Sequence, residues 1–434
     1  MAPSLTSPPR RFSRLLGLAY ALLLTLPLLQ AEVLTDLNRI IQLQASRPGA
    51  EAAGPDISKM REQAIANNPQ IFYANPGPWG KLRCTFIYLE APQAMVDTFP
   101  IPNSKTSWCV PSSDLTAFVE TLRTAEVPQE IVEQMTASGS MVSDALGLNY
   151  LFPPHPFLEA MSPRSRTVIY SKLAQYPNNE FYTDPVLIIG QSPQDWFRTS
   201  KMRPALIDKI SKLTYSRGDT LAFSDVSLLL NDTTSESEAR QAFKALTRTR
   251  ALMVKVEVPP GSDILGVVNY WSLGLGLRRK DVEPLLQSVQ DTNGLESLPL
   301  SHLLPPLARK LIYTYPSLDM SRHGTIPDCH WTCLNFFNYE PHEYLLDSRL
   351  ATSAVLERFA PVEPPYTYGD ILFFLSKDTG DAYHSCIYLA DNLVYTKNGR
   401  NLLAPWLIMR REDVEKIYLY RGDGRIQGYR LKKR

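Results

Sequence analysis

Surplus charge is the first thing this chain lacks: 45 Lys and Arg stand against 44 Asp and Glu, a formal net charge of +1. Nucleic acids and acidic membrane surfaces are bound through an excess of cations, so neither is expected as a partner. Apolar runs are also scarce. One occupies 15–29, and no second run is long enough to cross a bilayer. No cysteine follows that run closely, which argues against a lipid anchor there, and no internal repeat of fixed period is present. Cysteine is sparing, five in 434 residues, and the odd number leaves one over if the others pair.

What is present begins at the N-terminus. Arg10, Arg11 and Arg14 precede the apolar run, and Gln30-Ala31 supplies a small residue for cleavage. This is the pattern of a secretory signal peptide over 1–31, with an uncleaved anchor as the alternative. The run is short for a span and contains Pro27. The mature chain is therefore expected to be exported, periplasmic or secreted, with no membrane span. The 35 prolines, about 8% of the chain against an average near 5%, are scattered as loop punctuation.

The chain reads as α+β in two domains after the signal segment. Residues 32–300 form a mainly helical domain of unknown function with a few strands. Leu82, Cys84, Phe86 and Tyr88 alternate with Arg83, Thr85, Ile87 and Leu89 as a strand, and 253–258 alternates likewise. Ser235-Glu236-Ser237-Glu238 is a capping box opening a helix to about Arg248. The proline-rich stretch 298–306 is the expected linker. The second domain, 308–434, carries a helix over 347–359 and a closing hairpin over 414–431 around Gly422-Asp423-Gly424. That hairpin turn accounts for the adhesion-like tripeptide Arg421-Gly422-Asp423.

The chemistry concentrates in the second domain. Asp328 is a favourable N-cap, and 329, 333, 336 and 337 have the spacing of one buried helix face, with Pro341 as its limit. Cys329 falls in the first turn, where the helix dipole favours thiolate. Gly369-Asp370 opens a buried strand, Ile371-Leu372-Phe373-Phe374. A second strand follows, His384-Ser385-Cys386-Ile387-Tyr388-Leu389-Ala390, then the turn Asp391-Asn392 and a returning strand from Leu393. Cys329, His330, Cys333, His384 and Cys386 include the residue types of a zinc site, but their spacing matches no usual knuckle, and no metal or cofactor is expected.

A cysteine-bearing helix followed by GDILFF and HSCIYLADN resembles the NlpC-type branch of the papain-like cysteine peptidases, over about 311–420. The resemblance implies a papain-like C-terminal domain, a helix packed on a small antiparallel sheet. It also implies Cys329 as nucleophile, His384 as base, and a third polar residue within Thr396-Lys397-Asn398. Asn398 is the first choice, because its carbonyl can accept from the imidazole, and Thr396 is the second. The family's tyrosine before the cysteine points to Tyr315 or Tyr313 as oxyanion donor. The implied substrate is a peptide of the bacterial cell wall. His330-Trp331 replaces the family's Ser-Gly, which leaves lipid and protein amides open.

Two functions are expected from this: an exported cysteine hydrolase of amide bonds, or a non-catalytic NlpC-like module that binds cell wall or a protein. Cysteine parity assigns Cys329 as the free thiol, with Cys84 near Cys109 and Cys333 facing Cys386. Should Cys333 stand opposite His384, it becomes the nucleophile instead.

Overall fold

The computed structural model describes residues 70–102, 105–259, 261–273 and 276–432. The expected signal peptide, 1–31, and residues 32–69 of the expected helical domain lie outside the described residues. The described residues are mixed α+β, 40% helix and 23% strand, with several small antiparallel sheets. One sheet has four strands in the order β1 (Ile71–Tyr73), β2 (Lys81–Leu89), β9 (Thr249–Glu257), β10 (Ser297–Pro299). Two three-stranded sheets follow the orders β3 (Trp108–Pro111), β5 (Leu148–Leu151), β4 (Val142–Ser143) and β6 (Val186–Ile188), β8 (Thr220–Phe223), β7 (Tyr215–Arg217). The largest has six strands in the order β11 (Phe359–Val362), β16 (Gly424–Leu431), β12 (Ile371–Ser376), β13 (Ala382–Ala390), β14 (Leu393–Lys397), β15 (Trp406–Arg410).

Alternation explains the long strands. On β2 and β9, Leu82 pairs with Val256, Cys84 with Val254 and Phe86 with Leu252, so one face of the ladder is a continuous apolar strip. The Ser235 half of the expected capping box forms, its hydroxyl accepting from the Glu238 amide, while the Glu238 carboxylate reaches one residue further back and accepts from the Thr234 amide. The helix expected over 347–359 spans Ser348–Arg358, with Asp347 capping it.

The stretch 298–306 is not a linker. Leu298 lies in β10, Leu300 and Leu303 in a 3-10 turn, and Leu304 follows; all four are buried. Pro305 and Pro306 open the helix Pro306–Leu311, a place where proline costs nothing because the first amides of a helix have no partner. Residues 68–434 form one compact unit. One apolar core contains Leu229 and Ala242 together with Leu372 and Leu407, and the other contains Val254 together with Trp331 and Trp406. The expected boundary between 300 and 308 therefore falls inside shared cores.

The tail also departs from expectation. Its first part is a helix, Arg411–Tyr418, and only the second part is a strand, β16. Val414, Ile417 and Tyr418 have helical spacing, and Glu412 and Asp413 suit a first turn. The two halves of the chain are tied by charge at this helix. The Arg250 guanidinium on β9 donates to Asp413 at 3.0 Å, with side chains 7% and 3% exposed, and Arg410 donates to the other carboxylate oxygen at 3.0 Å. Asp413→Ala would strand a buried guanidinium, a loss of about 3–5 kcal/mol. Urea unfolding of the variant measures it, and a loss below about 1 kcal/mol would show that this contact does not tie the halves together.

Candidate active site around Cys329 and His384

Cys329 opens the helix Cys329–Leu334. Asp328 caps it as expected, its carboxylate accepting from the Trp331 amide at 2.8 Å. The helix stops well before Pro341 because of Asn335, which is fully buried: its amide group donates to Trp331 O, and its carbonyl accepts from the His342 amide at 2.7 Å. Phe336, buried, and Phe337, partly buried, therefore pack beyond the helix rather than along it.

The helix rests on β13, and strand alternation decides which side chains it meets. His384 pairs with Phe374 and Ser385 with Phe373. His384 shares its face with Phe374, and its ring stacks on Tyr418 at 3.7 Å and 9°. Ser385 shares the other face with His330, whose Nδ1 lies 3.0 Å from the Ser385 hydroxyl. Side chains of consecutive strand residues point to opposite faces, so the helix meets Ser385 more directly than His384. The thiol of Cys329 is hydrogen-bonded by the Ser385 backbone and hydroxyl and by the His330 amide.

Cys329, through its contact with Ser385, and His384 nonetheless both lie at the stretch of β13 that opens away from β14. Pairing of β13 with β14 begins at Ile387 and Tyr395, so the strands part on the His384 side of that pair. A thiolate at Cys329 would be felt by Lys397 on the helix side and by Cys386 and Tyr418 on the His384 side. No hydrogen bond joins Cys329 to His384. The ring is held at its other nitrogen, where Nε2 lies 3.2 Å from the Thr396 hydroxyl. Nδ1 is buried without a partner.

Thr396, the second choice, is thus the residue that meets the imidazole. Continuing the β13–β14 register would set Asn398 opposite His384, but the observed contact is the diagonal one, since the strands no longer pair there. Asn398 turns to Met409, with 3.4 Å from Nδ2 to the sulfur, and its carbonyl oxygen is buried without a partner. The tyrosines are elsewhere. The Tyr313 hydroxyl donates to Leu252 O at 2.6 Å, and the Tyr315 hydroxyl, buried and unpartnered, feels Glu90 rather than Cys329. Neither stands among the groups that contact the thiol.

Burial overrides the helix dipole at the thiol. Cys329 is 4% exposed, and desolvation, followed by the Asp328 carboxylate, pushes its pKa up to about 12 against the hydrogen bonds that lower it. A six-residue helix has too small a dipole to compensate. Cys333 is raised further by complete burial, with the Ser385 hydroxyl its hydrogen-bond partner and Cys386 nearby. It does not stand against His384. All five cysteines are free and buried, and Cys84 and Cys109 lie in different sheets, which rules out their expected pairing here. Among the described residues no cluster of His, Cys, Asp and Glu is arranged to hold a metal.

Three groups at this opening went unnoticed in the sequence. Ser385 bridges His330 and both helix thiols. Tyr418 covers His384. Lys397, fully buried, donates to Gly399 O at 2.9 Å and Asn401 O at 2.8 Å, and desolvation brings its pKa down to about 8. A lysine closing the apolar strand Leu393–Lys397 was the only signal for it.

Comparison with known protein families, curated proteins and solved structures found no match. Among the described residues no helix is long and apolar enough to cross a membrane.

His384 is fully buried, and desolvation, with His330 second, holds its pKa well below 6.5. Below pH 6.5 the unfolded chain takes up a proton there that the folded chain refuses. Its contribution is therefore present above pH 6.5 and falls with pH by about 1.4 kcal/mol per unit down to the folded pKa. Urea unfolding of the wild type and of His384→Gln between pH 7 and 5 should differ by about this slope. Parallel curves would show that the ring is protonated inside the fold.

Proposed function

We propose that the chain is a cysteine hydrolase of amide bonds, with Cys329 as nucleophile, His384 as base and Thr396 as the group that orients the base. The observation that carries this reading is the buried His384 ring, fixed at Nε2 by Thr396 while Nδ1 has no partner. A buried polar atom left unsatisfied is uncommon and costs stability, so it calls for a functional reason. With the proton on Nε2 and donated to Thr396, Nδ1 is a neutral, desolvated base beside the strand opening where the thiol stands.

In this reaction Nδ1 takes the thiol proton, the sulfur attacks the amide carbon, and the imidazolium returns the proton to the leaving amine. Water then hydrolyses the thioester by the same base. The amides of His330 and Ser385, which now point at the sulfur, are the nearest donors for the oxyanion, with Lys397 as the nearest cation. The papain-like domain and the cell-wall substrate rest on the motif resemblance, and export rests on the pattern over 1–31. A binding module is the second reading. It is favoured by the thiol being held protonated, at about 12, with no hydrogen bond to the base.

On the hydrolase reading the described state is closed, because the Tyr418 ring covers the base. Tyr418→Ala should open it and raise the rate of iodoacetamide labelling at Cys329 about tenfold at pH 7.5. The gain should disappear when His384→Ala is added. Peptide mapping locates the label, and labelling confined to Cys333 would overturn the nucleophile assignment. Loss of amide cleavage in Cys329→Ala, followed by mass spectrometry of released amines, tests the reaction itself. An equally active variant would sink the hydrolase reading.

A further inference from the structure

A cavity of about 640 Å³ is lined by Tyr418, the residue whose ring stacks on His384. That volume is within the range of small-molecule sites. Both halves of the chain line it: Phe181, Leu187 and Phe243 from one, Met409, Ile417 and Tyr418 from the other. The walls are mostly apolar, but three lining residues carry buried polar atoms with no protein partner. Two are donors, Trp196 Nε1 and Arg250 Nε, and one is an acceptor, Asn398 Oδ1. Trp196 is 1% exposed and Arg250 7%. Two orphan donors and one orphan acceptor, each closed to solvent in the described state, match what a peptide-type amide offers once the lining opens: a carbonyl that accepts and an N–H that donates.

The charges around the cavity cancel. Arg248 is tied to Glu90 at 2.7 Å and Arg250 to Asp413 at 3.0 Å. Asp184 and Asp423 stand in the lining with Arg217 and Arg421, whose guanidinium groups lie 4.2 and 5.4 Å from the Tyr420 ring centre. A cavity with apolar walls and no net charge disfavours a polyanionic ligand, because desolvating carboxylates there goes uncompensated.

We infer that this cavity is the substrate pocket of the proposed hydrolase and takes a neutral amide flanked by apolar groups, a fatty-acyl amide or a short apolar peptide. The inference rests on the hydrolase reading of Cys329 and His384. Asn398 acts here as a positioning residue, its carbonyl accepting the amide N–H. Tyr418 touches both the base and the pocket, so its displacement would join the two.

Calorimetric titration of the full chain carrying Cys329→Ala tests binding without turnover. The probes are N-decanoyl-leucinamide, the matching compound with an ester oxygen in place of the N–H, acetyl-Leu-Phe-amide, and acetyl-Ala-Glu. The neutral amides should bind at least tenfold more tightly than acetyl-Ala-Glu, and whichever of the two binds better identifies acyl chain or peptide. Adding Asn398→Leu should cost the amide about tenfold and leave the ester unchanged. Adding Ala404→Trp, which fills the cavity from its lining, should abolish binding of both. Equal binding of amide and ester, insensitivity to Ala404→Trp, or preference for acetyl-Ala-Glu would each overturn the inference. Binding as expected, with no cleavage by the wild type, would leave the pocket standing and sink the hydrolase.

Discussion

Desolvation governs the contact between the Cys329 helix and β13. It raises the thiol, lowers His384 and brings Lys397 down to about 8, so that the thiol and the imidazole stay neutral while the ammonium holds its proton less firmly. The opposing forces are small. A single helical turn and three hydrogen bonds around the sulfur do not offset the loss of water. The same dryness leaves Nδ1 a neutral nitrogen with its lone pair free, while it lowers that nitrogen's affinity for a proton.

Dryness also sets the cost of the arrangement elsewhere. Charged groups survive inside this chain only with partners: Arg166 lies 3.1 Å from Asp225, and Arg250 and Arg410 share Asp413. The Arg166–Asp225 and Arg250–Asp413 pairs join segments distant in sequence, whereas Arg410 and Asp413 are three residues apart. The Arg250–Asp413 contact is why the C-terminal sheet cannot be described apart from β9, and Tyr270 adds a second tie by donating to Leu389 O at 2.7 Å.

Local pattern was legible in the sequence where it depended on neighbours along the chain. The Asp328 and Ser235 caps, the alternation of 81–89 and the strand ending at Ala390 all follow from spacing, and all appear in the structure. The site was less legible because it depends on which face a residue takes. His384 and Ser385 are adjacent in sequence yet fall on opposite faces of β13, and nothing in a single sequence says which one meets the helix. The choice of Asn398 over Thr396 failed for a related reason: it assumed continued pairing where the strands part. Proline misled at 305 and 306, since the residue that punctuates loops also begins helices.

The cavity could not have been found from motifs at all. Its walls come from 181–250 on one side and 383–423 on the other, and none of the first group carries chemistry that a pattern could flag. A catalytic strand supplies reacting groups, but what reaches them is decided by the surface opposite. In the proposed enzyme that surface belongs to the half of the chain with no recognisable motif. The base and the pocket meet through one residue, Tyr418, which stacks on His384 and also lines the cavity. Substrate choice would then be a property of the chain's shared core rather than of the stretch that carries the motifs, which is why the motif resemblance alone points to a polar cell-wall peptide while the walls favour an apolar amide.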